Sequence, residues 1–466
     1  MDNLADWTAT RLAAAFATKK LSPVESCEAT LRRAEACEPA LQALYLYNPE
    51  AARRAARESE ARWMKGAPLG PLDGIPATIK ENIATIGDPT PLGTAAMPLA
   101  PASADAPPAA RLRESGAVIF AKTTMPDFGM LSSGLSSFHP LTRNPWDVTK
   151  NPGGSSAGAG AAAAAGYGPL HLGTDIGGSI RLPAGWCGVA GLKPSAGRVP
   201  IDPPYVGRVA GPLARSVEDI ALAMRVLARP DRRDHMSLPY AEIDWSDLDV
   251  GIAGKRIGLM LEAGFGWPVE PETRAAVEAA ARLLERAGAI ITPMAPLMTR
   301  DMLDGLDRFW RARAWADISK MPPQAQAKIL PFIFAWAKAA EPFDGQQVFT
   351  GFEQVMAIRR AAVAAFADVD FALTPTAPMT AFAADLPAPG ADPQRPLDHI
   401  GFTVPYNMTG QPALSVNCGF GSDGLPIGLQ IVGQRFDDLG VLQIGRLYER
   451  LRGPQAEWPR PPFARG

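Results

Sequence analysis

The chain has 466 residues, of which 47% are hydrophobic and 20% are charged, so it can bury a large core and is neither disordered nor collagen-like. Its 46 basic and 48 acidic residues leave a formal charge of -2, which provides no overall field to attract nucleic acid or an anionic membrane. Composition therefore indicates a globular protein and argues against a nucleic-acid binder, while the number of domains stays open.

The first 65 or so residues are predicted to be helical. Ser22, Pro23, Val24 and Glu25 form a capping box with proline at the first helical position. Asn48 followed by proline marks a second helix start of the same kind. We therefore expect a helical amino-terminal arm over about residues 1–65.

From about residue 68 onward, short apolar runs bounded by glycine and proline alternate with helical patterns, which is typical of an α/β fold. The predicted strands are residues 77–79, 117–121, 170–173, 257–261, 289–292, 371–374, 413–417 and 428–432. The clearest predicted helices are residues 271–287, 346–367 and 438–451. We expect a mixed sheet covered by helices.

Residues 300–352 form a segment that is helical in pattern and rich in large aromatic side chains. These are Phe309, Trp310, Trp315, Phe332, Phe334, Trp336, Phe343, Phe349 and Phe352. Large aromatics mostly fill interiors, so a stripe facing the core is the favoured interpretation. The alternative is a cap that lines a substrate pocket.

Cysteine and histidine are scarce and scattered. The cysteines, none in a CxxC pair, are Cys27, Cys37, Cys187 and Cys418. The amino terminus carries an acidic residue where a secretory signal would be basic, and no apolar run reaches the roughly 18 residues that span a bilayer. We therefore expect a cytoplasmic protein that crosses no membrane, has no disulfides, and binds no metal or other cofactor.

Glycine and serine are concentrated between residues 151 and 191. Residues 153–156 (GGSS) and 177–179 (GGS) each precede a predicted helix, where backbone N–H groups can bind an anion. No lysine follows either run, which argues against a phosphate loop. A GxSxG match would make Ser156 a nucleophile, and Cys187 is a second candidate, but neither has a supporting histidine.

Lys80 is a candidate base for a serine nucleophile, since it ends the apolar run of residues 74–79. A strand would carry this lysine into the interior, where burial favours the neutral amine. From this stretch alone, an ion pair between Lys80 and Glu81 or another carboxylate is an equally good interpretation.

Several long motifs resemble the amidase signature family, and the resemblance spans nearly the whole chain. The motifs are residues 152–156 (PGGSS), 173–181 (GTDIGGSIR) and 191–194 (GLKP), with flanking matches at 73–76, 121–126, 144–147, 211–217 and 424–430. The resemblance implies that Ser179 is the nucleophile, that Ser155 is a bridging serine with a cis peptide bond, and that Lys80 is the base. It also implies an oxyanion hole made by the N–H groups of Ile176, Gly177, Gly178 and Ser179. Supporting roles would fall to Ser156, Thr174, Asp175 and Arg181.

The resemblance further implies a single amidase domain over residues 1–466, with a signature core at about 68–230 and a central twisted mixed sheet covered by helices on both faces. The expected reaction is hydrolysis of a carboxylic amide without a cofactor, often by a homodimer. The aromatic segment, together with Met130, Ser132 and Ser133, suggests an apolar or aryl amide, extending to carbamates or esters. The alternative is the glutaminase component of an amidotransferase, which draws ammonia from glutamine in a tRNA-dependent complex. The chain has no basic run or partner-binding tail, which favours a free-standing hydrolase.

Overall fold

In the computed structural model, which describes residues 3–463, eleven strands form one sheet. In chain order they are β1 Leu44–Tyr45, β2 Pro76–Lys80, β3 Val118–Thr123, β4 Leu170–Asp175, β5 Ala190–Lys193, β6 Val209–Ala214, β7 Arg256–Leu259, β8 Ile290–Pro293, β9 Phe371–Pro375, β10 Ala413–Phe420 and β11 Pro426–Gly433. Across the sheet the order is β1, β3, β2, β4, β6, β5, β10, β11, β9, β7, β8.

Parallel and antiparallel pairs are both present, which confirms the prediction of a mixed sheet. β2 runs parallel to β3 and β4, and β7 runs parallel to β8 and β9. The pairs from β4 through β6, β5, β10 and β11 to β9 are antiparallel, as is the edge pair of β1 with β3.

Helices flank this sheet. They are α1 Ala9–Ala17, α2 Pro23–Leu41, α3 Pro49–Met64, α4 Pro107–Glu114, α5 Ala157–Ala165, α6 Arg181–Cys187, α7 Val217–Leu227, α8 Pro271–Arg286, α9 Arg300–Ile318, α10 Pro323–Gln326, α11 Pro331–Lys338, α12 Gly345–Ala365, α13 Val404–Thr409 and α14 Asp438–Arg452. The predicted capping box at Ser22 is present, and the Asn48 side chain accepts a hydrogen bond from Ala51 N.

The side chains of β6 show how both sheet faces are buried, because successive residues of a strand point to opposite faces. Ala210 and Ala214 join the core cluster that contains residues of α7, α8 and α14. Leu213, between them, packs with residues of α5 and α6. The sheet is thus covered by helices on both sides, as expected for the α/β class.

The helix α5 lies close to the sheet because its residues are glycine and alanine throughout, and all of them are buried. A Cβ atom at Gly158 would collide with the carbonyl oxygen of Ala43. This close packing fixes the turn at residues 153–156, which leads directly into the helix.

The aromatic segment forms α9, α10, α11 and the start of α12. Trp310 and Trp336 are buried in a second core cluster, and five of the other aromatics pack against it, whereas Phe349 is exposed. Most of the stripe therefore fills the interior, as the favoured interpretation held. No helix within residues 3–463 combines the length and the apolar character needed to cross a membrane.

Three strands, β1, β5 and β6, were not predicted. β1 lies inside the amino-terminal arm, which is therefore not purely helical. β5 contains Gly191, and β6 contains Gly211 and Pro212, which are residues that weaken a strand pattern. Pairing with neighbours that are distant in sequence holds these strands in the sheet.

Candidate active site

Lys80 is the last residue of β2, and its side chain leaves the sheet on the face opposite Ala77 and Ile79, which belong to the main core. Its amine donates hydrogen bonds to Ser155 Oγ (2.8 Å) and Thr174 Oγ1 (3.0 Å), with the Thr174 carbonyl oxygen at 3.4 Å. The side chain is fully buried. The strand therefore places the amine directly against the serine at residue 155.

Burial lowers the pKa of Lys80 well below its ordinary value, and the positive charge of Arg208 adds to this effect. The charges of Asp175 and Glu81 act in the opposite direction without outweighing burial, and the Glu81 carboxylate instead accepts hydrogen bonds from Leu92 N and Gly93 N and contacts a histidine ring. Lys80 forms no ion pair in the part of the chain that is described. The interpretation of Lys80 as half of an ion pair with Glu81 is therefore wrong.

The two glycine–serine turns are joined to each other. The peptide bond between Gly154 and Ser155 is cis. Ser156 Oγ donates to the Thr174 carbonyl oxygen (3.2 Å), and Ser156 N donates to the Ser179 carbonyl oxygen (3.1 Å). Ser156 is buried and tied to backbone, which argues against its role as a GxSxG nucleophile.

The surroundings of Cys187 also argue against its role as a nucleophile. It is fully buried, its Sγ donates to the Pro152 carbonyl oxygen, and burial raises the pKa of its thiol. A thiol that resists ionisation is a poor nucleophile.

Asp175 shapes the loop that carries the predicted nucleophile. One carboxylate oxygen accepts from Gly178 N (2.7 Å) and the other from Ile180 N (3.0 Å), and Arg181 forms an ion pair at 3.0 Å. Burial opposes ionisation, but the charge of Arg181 and these donors outweigh it and hold the pKa of Asp175 well below its usual range. The buried Asp175 carboxylate therefore holds the loop around Ser179 in place through hydrogen bonds to its backbone.

Residues from the carboxyl-terminal part of the chain complete this network. Arg181 donates to the carbonyl oxygen of Thr403 (2.8 Å), to Gln430 Oε1 (2.7 Å) and to Asn407 Oδ1 (2.6 Å). Thr403 Oγ1 in turn donates to the Gly177 carbonyl oxygen (2.6 Å). Sequence reasoning noted Gln430 only as part of a motif, and nothing in their own stretch marked Thr403 or Asn407.

The four predicted oxyanion donors are not equivalent. The N–H of Gly178 is already donated to Asp175, so this residue shapes the loop instead of offering a free donor. Within residues 3–463, the N–H groups of Ile176, Gly177 and Ser179 have no protein acceptor. Gly178 has a φ of +134°, and a Cβ there would lie 2.6 Å from Thr403 Oγ1, so only glycine fits.

Ser179 faces an open cavity of about 340 Å³, which is also lined by Ser155 and Thr174. Ser179 is partly exposed, whereas Ser155 is nearly buried behind it. Within the described residues, the hydroxyl groups of Ser155 and Ser179 form no hydrogen bond with each other, although both line this cavity. The structure thus brings Lys80 and Ser155 into contact and places Ser179 at the same opening.

The cavity wall next to Ser179 is mainly apolar. Its apolar side chains are Met130, Leu131, Ile176, Leu182, Trp310, Leu397 and Ile400. Met130 and Ser132 are in this wall, as expected, but Ser133 is not. The Ser133 side chain is fully buried and accepts a hydrogen bond from Leu135 N (3.3 Å), so its prediction as a substrate contact is wrong. Trp310 shows that the aromatic segment also contributes to the cavity.

Metal ligands are not clustered near this site. Among residues 3–463, no group of three or more histidine, cysteine, aspartate or glutamate side chains could hold a metal ion.

Comparisons with known proteins show the family to which the chain belongs. The amidase family model matches residues 25–442. The chain is 36% identical to the A component of the glutamyl-tRNA(Gln) amidotransferase of Chloroflexus aurantiacus, over 99% of both chains, and 35% identical to that of Myxococcus xanthus, over 96% and 97%. Among solved structures, a bacterial aryl acylamidase of the amidase signature enzymes superposes with a TM-score of 0.87 at 30% identity over 96% of both chains.

A 6-aminohexanoate cyclic dimer hydrolase, solved with its substrate, also gives a TM-score of 0.87, at 27% identity over 98% of this chain and 99% of the other. The family match covers most of the sequence, and the structural similarity extends over the whole fold. The chain therefore belongs to the amidase signature family.

Proposed function

We propose that this protein hydrolyses the C–N bond of a carboxylic amide through an acyl-enzyme formed on Ser179. The observation that carries the proposal is the contact between the buried amine of Lys80 and Ser155 Oγ, at the cavity that Ser179 lines. A lysine kept neutral by burial is able to accept a proton near neutral pH.

In the proposed reaction, Lys80 takes a proton from Ser155 while Ser155 takes one from Ser179. The Ser179 oxygen attacks the amide carbonyl, and the developing oxyanion accepts hydrogen bonds from the free N–H groups of Ile176, Gly177 and Ser179. One such donor typically contributes about 3–4 kcal/mol to lowering the barrier.

The same relay then runs in reverse and protonates the leaving nitrogen. Amides need this step because an amide anion is a very poor leaving group. Water enters as the amine departs, and activation of that water by the relay releases the acid and regenerates Ser179.

The apolar wall supports an apolar or aryl amide as substrate. Met130, Leu182, Trp310 and Ile400 would surround the part of the substrate next to the scissile carbonyl. The structural similarity to an aryl acylamidase points the same way. Aryl carbamates and esters fit the same chemistry, because each places an acyl carbon next to a leaving group.

The glutaminase component of a tRNA-dependent amidotransferase is the second candidate, and the sequence relatives at 36% and 35% identity favour it. Such a component would hydrolyse glutamine, whose ammonium and carboxylate need charged partners. The wall directly beside Ser179 is mainly apolar, whereas Arg208, Arg313, Asp202 and Asp317 line the wider cavity around it. The apolar wall supports the free-standing hydrolase, because the part of the substrate next to the scissile carbonyl meets apolar side chains.

Purified protein, without any partner, tests the proposal against glutamine, hexanamide, an acyl 4-nitroanilide and an aryl carbamate. We expect the anilide to be cleaved with the highest kcat/KM and Ser179→Ala to abolish turnover. Cys187→Ala serves as the control, since that thiol lies outside the proposed chemistry. Hydrolysis of glutamine alone, or activity that requires an added partner protein, would favour the amidotransferase.

A further inference from the structure

Two arginine side chains line the same cavity as Ser155 and Ser179. Arg208 comes from the loop immediately before β6, and Arg313 comes from α9, so two distant segments converge here. Neither side chain contacts the reacting groups in the reaction proposed above, although the charge of Arg208 helps to lower the pKa of Lys80. The N–H donors of both arginines are therefore available to a ligand.

The positions of both guanidinium groups are defined by contacts with neutral groups. Arg208 Nη1 donates to the carbonyl oxygen of Pro203 (2.9 Å), and the guanidinium carbon of Arg313 stands 3.9 Å from the centroid of the Tyr205 ring. Neither arginine forms an ion pair anywhere in the described range of the chain. Since a guanidinium has five N–H donors, most of those on Arg208 stay available to a ligand.

The carboxylates around the cavity do not take up these donors. Asp175 is already paired with Arg181. Asp202 and Asp317 line the cavity, but both are exposed and make no ion pair with either arginine. The two cations therefore face the cavity without a bound counter-charge from the protein.

Placing the two guanidinium charges of Arg208 and Arg313 in one cavity is electrostatically unfavourable. Burial and, to a lesser extent, the charge of Arg313 together lower the pKa of Arg208 to about 10, so Arg208 still carries its proton at neutral pH. An anion between the two side chains would offset both the lost solvation and the mutual repulsion. Arginine also has the fork geometry that suits a carboxylate.

We infer that Arg208 and Arg313 form a subsite for a carboxylate on the substrate. Together with the apolar wall beside Ser179, this subsite selects an amide with an apolar portion next to the scissile carbonyl and a carboxylate at its far end. The role in turnover rests on the proposed amidase function, whereas the binding of the anion does not.

Measuring ligand binding to the inactive Ser179→Ala protein tests the binding of the anion without relying on turnover. Calorimetry compares the monoanilide of adipic acid, which places the anion on the acyl side, with its methyl ester. A second pair, 4-(hexanoylamino)benzoate and its methyl ester, places the anion on the leaving-group side. In at least one pair, the acid binds about tenfold more tightly than the ester, as expected for a charge-assisted contact.

Substitutions identify the residues responsible. Arg208→Gln and Arg313→Gln, each made in the Ser179→Ala protein, reduce the acid's affinity to about that of the ester and leave the ester unchanged. Arg208→Lys retains part of the preference. The control is Arg54→Gln, an exposed position on α3 that does not line the cavity, and it changes neither affinity.

Equal affinities for acid and ester in both pairs would overturn the inference, as would an acid preference that survives both Gln variants. Arg313 is exposed on a helix, so its variant provides a test even if Arg208→Gln does not fold. If the active enzyme fails to cleave any neutral anilide, the proposed function is refuted while the binding result is still interpretable.

Discussion

Replacing Lys80 with methionine removes the buried amine while keeping a side chain of similar length. Three contacts disappear: those to Ser155 Oγ, to Thr174 Oγ1 and to the Thr174 carbonyl oxygen. Thr174 Oγ1 keeps its hydrogen bond from Asn82 (3.1 Å), so Ser155 is the residue left without its partner. The expected consequences differ for stability and for catalysis.

For stability, two well-formed hydrogen bonds are lost, at about 1 kcal/mol each. The sign of the pH effect follows from the lowered pKa of Lys80. Between that pKa and the ordinary value of 10.5, the unfolded chain binds a proton that the folded chain does not. The free energy of unfolding of the wild type therefore falls as the pH decreases from 10 towards neutrality, by about 1.4 kcal/mol per pH unit.

Methionine does not titrate, so the Lys80→Met variant lacks this contribution. We expect it to be about 2 kcal/mol less stable than the wild type near pH 10 and to lose this deficit at lower pH. For catalysis, loss of the general base reduces kcat/KM by roughly 100-fold to 10,000-fold or more.

Urea unfolding at several pH values between 7 and 10, followed by circular dichroism, measures the stability term, and anilide hydrolysis measures the catalytic one. A constant stability difference across this range would mean that Lys80 is charged in the folded protein. A variant with more than about a tenth of wild-type kcat/KM would refute the assignment of Lys80 as the base.

Three further substitutions test the surroundings of the site and the core. Gly178→Ala forces a Cβ to within 2.6 Å of Thr403 Oγ1 at a φ of +134°, so urea unfolding should show a loss of about 1–3 kcal/mol together with reduced turnover; unchanged stability would contradict this. Arg181→Met leaves the buried Asp175 without its ion-pair partner, and we expect a loss of about 3–5 kcal/mol in thermal unfolding; a loss below about 1 kcal/mol would argue against the network. Burial raises the pKa of Asp219 to about 6, so the folded wild type becomes less stable as the pH rises from 4 to 6. Asp219→Asn should therefore be more stable than the wild type at pH 7 by up to about 3 kcal/mol and lose this gain at pH 4, whereas parallel pH responses would count against a buried, titrating Asp219.

The sequence predicted the strands with continuous aliphatic runs, because burial on both faces leaves an unbroken apolar pattern. It could not predict β6, whose Pro212 pairs with Leu172 in the middle of the sheet. Proline normally marks the edge of a sheet, so local pattern argues against a strand there. Only pairing with β4 and β5, which lie outside this stretch of the sequence, makes the segment extended.

At the site, the residues close to the signature motifs could be predicted because those motifs are long. Thr403 and Asn407 could not, since they reach Arg181 from more than 200 residues away and only the folded chain shows the contact. The failure at Ser133 has a different cause. Its neighbour Ser132 lines the cavity, whereas Ser133 is buried in the protein interior. The sequence alone does not tell which of two adjacent serines faces the cavity.

The central claim is that Ser179 is the nucleophile and that Lys80 activates it through Ser155. Labelling with a fluorophosphonate probe, read by mass spectrometry of the peptide that contains Ser179, tests this directly. We expect one adduct on Ser179 in the wild type, none in Ser179→Ala, and labelling slowed by at least about 100-fold in Lys80→Met. An adduct on another serine, or labelling of Lys80→Met at the wild-type rate, would contradict the account.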